Sequence, residues 1–259
     1  MVKLKTPEEI DAIAASGDVL VRCMQLLRSK ARPGVTTGDL DRAAERFIRS
    51  QGAVPAFKGY NGFPGSICAS PNSMVVHGIP DGYRLERGDI LSIDIGVVLD
   101  GWVADAAVTV GIGPISPIAH GLLETTRASL FDGVEACRLG NRLGDVSNAV
   151  QRRVEADGLG VIRSLVGHGV GRDMHEDPQV PNFGAPGTGP ELEEGMVIAL
   201  EPMVTAGREA IRMGDDSWAV YSRDGSLAAH FEHTVAITAD GPQILTLGPD
   251  GTSVVYRPI

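Results

Sequence analysis

The sequence has few cysteines, no long apolar run and no excess of positive charge. Its 259 residues include 3 cysteines without Cys-x-x-Cys spacing, which argues against a disulfide framework and predicts a reducing compartment, the cytoplasm. No run of about 18 apolar residues occurs, and the N-terminus has no signal-peptide core, so we expect neither a membrane span nor export. The net charge of −10 argues against a basic surface that binds DNA.

The sequence does contain two similar series of helical signals, each followed by strand patterns. The stretch TPEE predicts a helix that is capped at Thr6 and runs to about Ser29. A second predicted helix begins at Thr36 and ends at Gly52. After a Pro/Gly-rich connector, further helical patterns cover about 117–137 and 144–157.

The two series also match in sequence. Shifting residues 32–52 by 106 positions onto 138–158 gives 7 identities, which indicates an internal duplication. With 43% hydrophobic residues the chain can bury one large core. We therefore predict a single domain over 1–259, with halves of about 1–112 and 113–259. Such a pair predicts an α/β fold with pseudo-twofold symmetry and a site between the halves.

A predicted hairpin carries two carboxylates at positions where its pattern calls for apolar residues. If Asp100 and Gly101 form a two-residue turn, Asp94 and Asp105 lie on one face as diagonal neighbours. Two adjacent buried anions repel, so either they share a proton or a cation lies between them. Small neighbours such as Gly96 leave room for that cation. The alternative is that one Asp lies on an edge strand and faces solvent.

Three further side chains extend this set. His168 lies between glycines, Glu201 ends one apolar strand, and Glu232 begins another. Each of them alone is typical of a surface, core or strand-end residue. Together with the two aspartates they supply the carboxylate oxygens and the imidazole that a pair of divalent ions requires. Co, Mn or Fe fit this donor set at least as well as Zn, because it contains no thiolate.

The ordered set Asp94, Asp105, His168, Glu201 and Glu232 resembles the methionine aminopeptidases. The stretches HGIP, DIGVVLDGWVADAA, GHGVGRDMHEDPQVPNF, EPMVTAG and FEHTVAIT occur in the family's order along nearly the whole chain. The resemblance implies the pita-bread fold of creatinase and the aminopeptidases, in which antiparallel sheets are flanked by two pairs of helices. It also implies removal of the initiator methionine from polypeptides whose second residue is small. The short chain resembles the bacterial type I enzymes.

The resemblance implies a role for each matching residue. Asp94 matches a ligand of one metal ion, Asp105 and Glu232 match the bridging ligands, and His168 with Glu201 match the ligands of a second ion. Glu201 also matches the carboxylate that accepts a proton. The two non-ligand histidines of the family, which donate hydrogen bonds to the substrate and to the developing oxyanion, match His77 and His175. The alternative for His77 is a polar residue in the turn before Gly78.

The methionine pocket is expected to be apolar and polarizable. By motif position, the resemblance implies pocket walls formed by Tyr60, Phe63, Cys68, Met174 and Trp218, beside His77 and His175. The chain departs from the commonest family pattern at Phe57, Asn61, Phe63 and Met174, which affects the fine shape of the pocket rather than the reaction. His230 lies two residues before Glu232 on the same strand face, and we predict that it donates a hydrogen bond to that carboxylate.

Two alternatives remain at this point. A prolidase or proline aminopeptidase shares the ligand set but usually carries an additional N-terminal domain, and a non-catalytic peptide-binding member of the fold usually lacks ligands. The expected partner is the N-terminal methionine of nascent peptides. The family default is a cytoplasmic monomer, and a transient contact with the ribosome is left open.

Overall fold

Within residues 2–248, which the computed structural model describes, the chain forms two pairs of α-helices. The predicted start at Thr6 is confirmed, because its hydroxyl accepts the Glu9 N–H while the Glu9 carboxylate accepts the Thr6 N–H. None of the helices in this range is both long and apolar enough to cross a bilayer. The helices are α1 (Pro7–Lys30), α2 (Thr37–Ser50), α3 (Pro117–Ala136) and α4 (Leu143–Ala156).

Antiparallel strands follow each helix pair. The first half contains β1 (Val54–Pro55), β2 (Cys68–Pro71), β3 (Met74–Val76), β4 (Ile90–Leu99) and β5 (Trp102–Gly111). The second half begins with β6 (Gly160–Val161), β7 (Val166–Gly169), β8 (Glu176–Pro181), β9 (Val197–Leu200) and β10 (Met203–Thr205). It ends with β11 (Ile211–Met213), β12 (Val220–Ser222), β13 (Ala228–His230), β14 (His233–Thr238) and β15 (Gly241–Ile244).

The strands form four small sheets. In the first, β4 pairs with β1, β2 and β5, and the largest has the order β15-β14-β9-β7-β8. The other two have the orders β13-β10-β6 and β11-β12-β3. One contiguous core joins the layers, because fully buried Leu20 of α1, Ile93 of β4, Leu123 of α3 and Ile198 of β9 belong to the same cluster.

The β4–β5 hairpin has the predicted register. Leu99 pairs with Trp102, Asp94 with Ala107 and Gly96 with Asp105. Both turn residues adopt positive φ, 50° at Asp100 and 77° at Gly101, as a type I′ turn requires. The turn therefore fixes which residues of the hairpin face the site.

Side-chain hydrogen bonds attach this hairpin to the second half of the chain. The Thr234 hydroxyl accepts the Asp105 N–H at 3.0 Å and donates to the Asp105 carbonyl at 2.8 Å. The Glu232 N–H donates to the Ala107 carbonyl at 2.9 Å. The first half and the second half therefore meet where the predicted ligands lie.

The three cysteines, Cys23, Cys68 and Cys137, are buried and free, as the sequence predicts. The predicted single domain of residues 1–259 extends beyond the described residues at both ends, and the duplication of its halves stays a prediction. The two helix pairs, α1–α2 and α3–α4, are consistent with it.

Candidate metal centre and substrate cavity

Two of the predicted ligands come from the β4–β5 hairpin. Asp94 and Asp105 are 8% and 4% exposed, so neither faces solvent at an edge. Because β4 also pairs with β2, Cys68 lies beside Asp94 in the sheet. Each aspartate has one buried oxygen, Oδ1, without a hydrogen-bond partner in the described part of the chain.

The other three ligands come from the second half. His168 lies on β7 opposite Ala199 of β9. Glu201 directly follows β9, and Glu232 directly precedes β14. Since β9 and β14 are paired, with Leu200 opposite His233, the two glutamates leave adjacent strands at the same end of the sheet.

These side chains converge on one point. Ligand atoms of Asp105, His168 and Glu232 all lie within 4.8 Å of one another. His168 Nε2 lies 3.7 Å from Glu201 Oε1 and 3.9 Å from Asp105 Oδ2. Asp94 and Glu201 are outside the group of three but line the same cavity. The structure therefore brings all five predicted ligands together.

Four carboxylates in one cavity repel each other and lose hydration; three are buried, and the Glu201 side chain is 12% exposed. Burial raises the pKa of Asp94 to about 7 and that of Glu201 to about 7. Burial, together with the neighbouring carboxylates, raises the pKa of Asp105 and of Glu232 well above the usual range. An oxygen of Glu232, Oε1, is also buried without a hydrogen-bond partner among the described residues.

This donor set fits a divalent cation. Buried polar atoms in native proteins nearly always have a partner, and here three unpartnered oxygens belong to carboxylates that line one cavity, those of Asp94, Asp105 and Glu232. Hard oxygen donors with one imidazole are ligands that Mn, Fe, Co and Zn accept. A cation between the carboxylates would remove the penalty that their burial imposes.

The cavity has a volume of about 240 Å³ and contains every residue predicted for the substrate site. It also contains Phe57 and Asn61, two positions at which the chain departs from the commonest family pattern. Its remaining lining residues are Tyr60, Phe63, Cys68, His77, Met174, His175 and Trp218, beside the five ligands.

Part of the wall of the cavity is apolar. Phe63 and Met174 are buried, and the Phe63 and Trp218 rings meet edge to face with centroids 5.1 Å apart. Burial, reinforced by the charges of Asp94 and Asp105, raises the pKa of the Cys68 thiol well above its usual value. Cys68 is therefore an uncharged, polarizable wall.

Two histidines flank the exposed mouth of the cavity. His175 Nδ1 lies 2.7 Å from the Tyr60 hydroxyl oxygen, and its ring centroid lies 4.2 Å from that of His168. Desolvation by surrounding atoms lowers the pKa of His77 and of His175. A neighbouring histidine lowers the pKa of each ring further. Both rings are therefore neutral near pH 7 and each carries one N–H.

The prediction that His230 hydrogen-bonds to Glu232 is wrong at the distances in this structure. His230 Nε2 lies 3.8 Å from Glu232 Oε2 and 3.5 Å from Glu201 Oε2. Neither ring nitrogen has a hydrogen-bond partner within residues 2–248. The side chain packs between the two glutamates because β13 ends at His230 and the chain bends before β14 begins at His233.

Sequence reasoning missed the Thr234 hydroxyl, which fixes the backbone of Asp105 from the opposite half. The signal was available, since Thr234 is two residues after Glu232 and so lies on the same strand face. It also missed Lys5, whose ammonium forms a buried ion pair with Glu176 next to His175. No sequence pattern joins residues that far apart.

The sequence profile of metallopeptidase family M24 matches residues 11–239. The chain is 52% identical over 247 residues to a methionine aminopeptidase of Clostridium perfringens. The aligned region covers 95% of this chain and 99% of that protein. A methionine aminopeptidase of Mycobacterium tuberculosis is 49% identical over 255 residues, covering 96% of each chain.

The fold is also that of solved enzymes. A crystal structure of methionine aminopeptidase from Rickettsia prowazekii superposes with a TM-score of 0.94 at 39% identity, covering 95% of this chain and all of that one. The similarity to a Pyrococcus furiosus prolidase, with a TM-score of 0.78 at 24% identity, shows the fold alone and covers only 65% of that protein. The predicted pita-bread fold is confirmed.

Proposed function

The chain belongs to metallopeptidase family M24, and from its methionine aminopeptidase relatives we infer that it is a metal-dependent exopeptidase that removes methionine from the N-terminus of peptides. We propose further that it acts on nascent polypeptides whose second residue is small. The observation that carries this function is that five ligand-type side chains line one cavity together with apolar side chains such as Phe63, Met174 and Trp218.

Two divalent ions are part of the proposal. Asp94, Asp105, His168, Glu201 and Glu232 would hold them, and four carboxylates would balance the charge of two such ions. The chemistry that these ions supply when bound is Lewis-acid polarisation of the scissile carbonyl and acidification of a water molecule. Co, Mn, Fe and Zn are all compatible with the donor set.

The protein's own groups orient the substrate and handle its protons. Glu201, at the edge of the ligand cluster, is the carboxylate that we assign to proton acceptance, since burial gives it a pKa of about 7. If the Tyr60 hydroxyl donates to His175 Nδ1, the ring proton lies on Nε2, which can donate to the substrate. His77 supplies a second neutral N–H at the same mouth.

The apolar side chains that line the cavity account for the preference for methionine. An unbranched thioether packs well against Phe63, Trp218 and Met174, and it forms favourable contacts with aromatic rings. Action as a cytoplasmic monomer, with at most a transient ribosome contact, belongs to the same proposal, and the three free cysteines support the location.

A peptide panel tests this function. Protein loaded with Co or Mn is expected to release methionine from Met-Ala-Ser, to act poorly on Met-Lys peptides and to leave Ala-Pro intact. Cleavage of Ala-Pro without release of methionine would instead identify a prolidase. If peptide bound without any cleavage, and if Asp94→Asn bound it equally well, the chain would be a non-catalytic peptide-binding protein.

A further inference from the structure

A buried ion pair joins the N-terminus of the chain to the edge of the cavity. Lys5 lies just before α1, and its Nζ is 2.7 Å from Oε2 of Glu176, with both side chains less than 5% exposed. The Lys5 ammonium also donates to the Lys3 carbonyl at 2.8 Å. Paired charges with this degree of burial are uncommon, because each loses its hydration.

Glu176 in turn organises the loop that precedes it. Residues 170–175, which we call the histidine loop, connect β7 to β8 and carry both Met174 and His175 into the cavity. The other oxygen of Glu176, Oε1, accepts the backbone N–H groups of Arg172 and Asp173 at 3.1 and 3.3 Å. One carboxylate therefore receives Lys5 on one oxygen and the turn of the loop on the other.

The pair is also packed against backbone on both sides. A Cβ atom at Gly171 would lie 2.7 Å from Lys5 Cε and 2.8 Å from Glu176 Oε1. The Lys5 N–H donates to the Gly195 carbonyl at 2.8 Å, two residues before β9, the strand that leads to Glu201. Lys5 thus has a fixed position relative to both the histidine loop and a ligand-bearing strand.

The start of the histidine loop has a separate anchor. The Arg172 guanidinium lies 3.8 Å from the Trp102 ring centroid, and the Val103 N–H donates to the Gly171 carbonyl at 2.8 Å. This anchor lies on the β4–β5 hairpin. The end of the loop, where Met174 and His175 lie, is supported instead by Glu176 with its partner and by the Tyr60 hydroxyl, which lies 2.7 Å from His175 Nδ1.

We propose that Lys5 and Glu176 are positioning residues for the aminopeptidase reaction, which hold Met174 against the substrate side chain and His175 at the reacting group. The N-terminal segment before α1 is therefore part of the support of the active site. The kinetic consequence rests on the proposed function, whereas the ordering of the histidine loop does not.

The test compares metal-loaded Lys5→Met and Glu176→Gln with Lys3→Met as the matched control. The Lys3 ammonium lies 2.9 Å from Asp173 Oδ2 and 3.5 Å from Glu176 Oε1, but its side chain is 58% exposed. Because exposed ion pairs contribute little, its removal should leave kcat/KM within about twofold of wild type. Lys5→Met keeps most of the length of the side chain and removes the ammonium group, with its charge and its hydrogen bonds to Glu176 and the Lys3 carbonyl. It should lower kcat/KM by about 10-fold to 100-fold, mostly through kcat, because His175 shifts relative to the reacting group. Glu176→Gln should change kcat/KM in the same direction.

Amide hydrogen exchange supplies a readout that a merely structural role would not reproduce. The Arg172 and Asp173 amides should exchange faster in both variants, while amides of the β4–β5 hairpin keep their wild-type rates. Uniformly faster exchange with unchanged turnover per folded molecule would overturn the proposal, as would kinetics that match Lys3→Met. If Lys5→Met does not fold, the isosteric Glu176→Gln decides. If wild type releases no methionine, the proposed function fails and the exchange experiment still tests the positioning.

Discussion

Individual carboxylates of the ligand cluster serve the proposed function but lower the stability of the metal-free protein. Asp105 is 4% exposed, and one of its oxygens has no hydrogen-bond partner among the described residues. The neighbouring carboxylates raise its pKa further, after burial itself. Such a group opposes folding until a cation compensates for its charge.

Asp105→Asn separates these two effects. It keeps the shape of the side chain and removes the charge, so the metal-free protein should be more stable to urea than metal-free wild type. Methionine release with added metal should fall by at least about 100-fold. Loss of an outer-shell partner of a metal ligand typically lowers activity by about 10-fold to 100-fold, and loss of a direct ligand should lower it more. Turnover close to that of wild type would contradict the assignment of Asp105 as a ligand.

The Lys5–Glu176 pair predicts a pH dependence. Burial alone would raise the pKa of Glu176, but hydrogen bonds from Lys5 and from backbone amides lower it below its usual value of 4.5. A depressed pKa contributes stability above the unfolded value, and that stability is lost as the pH falls through the folded value. Lys5→Met should therefore be less stable than wild type at neutral pH, by about 3 kcal/mol, and the difference should narrow below about pH 4.5. Urea unfolding at several pH values measures it, and a difference that widened at acid pH would contradict this assignment.

Among the elements, the β4–β5 hairpin is the one that the sequence predicts most completely. Its turn, its register and the common face of its aspartates follow from Asp100-Gly101 and from period-two alternation. Gly96 has a second role besides the predicted one of leaving room for a cation. A Cβ there would lie 2.8 Å from Ala56 Cβ and from Phe57 Cε1, so the glycine also lets the apolar wall of the cavity pack on the strand.

Gly96→Ala should therefore narrow the methionine pocket without removing a ligand. Its added methyl group would also approach Met174 Cε to 3.0 Å. We expect kcat/KM for Met-Ala-Ser to fall about tenfold through overpacking, with unchanged metal content. Gly121→Ala on α3 is the control, because no heavy atom other than those of its chain neighbours and the nearby backbone of its own helix lies within 4 Å of the added Cβ. Equal kinetics for the two variants would argue against this role for Gly96.

The helices were predictable because their signals are local, such as the Thr6 cap with Pro7 at the first helical position. The short strands were not, since β11, β12 and β13 each have 3 residues, too few for a periodic pattern. Their pairing is also remote in sequence, as when Val220 of β12 pairs with Val76 of β3. The ligands could be predicted from motifs. The contact between Lys5 and Glu176 could not be predicted from the sequence, because only tertiary packing brings these two residues together.

At the scale of the whole molecule, the site lies where the two halves meet. The hairpin of the first half supplies Asp94 and Asp105, and strands of the second half supply the other three ligands. Thr234 and Glu232 bind the backbone of the hairpin across this boundary. A cation that binds both sets of ligands would therefore stabilise the contact between the halves.

Removal of metal should accordingly lower the stability of the entire protein. A ligand at about 100 times its Kd adds about 2.7 kcal/mol to the folded state, which corresponds to a rise of several degrees in Tm for a chain of this size. Differential scanning fluorimetry of chelator-treated protein, before and after addition of Mn or Co, measures the effect. The shift should be absent in Asp105→Asn, and an unchanged wild-type Tm would indicate that the acidic cluster binds no metal.

Above all, we propose that five side chains from both halves hold divalent ions in the same cavity that binds the methionine side chain. Anomalous diffraction from crystals of the cobalt-loaded protein tests it most directly. We predict two anomalous peaks, each within coordinating distance of at least two of the side chains of Asp94, Asp105, His168, Glu201 and Glu232. Cobalt bound only elsewhere on the protein, or no peak in the cavity of an active preparation, would contradict it.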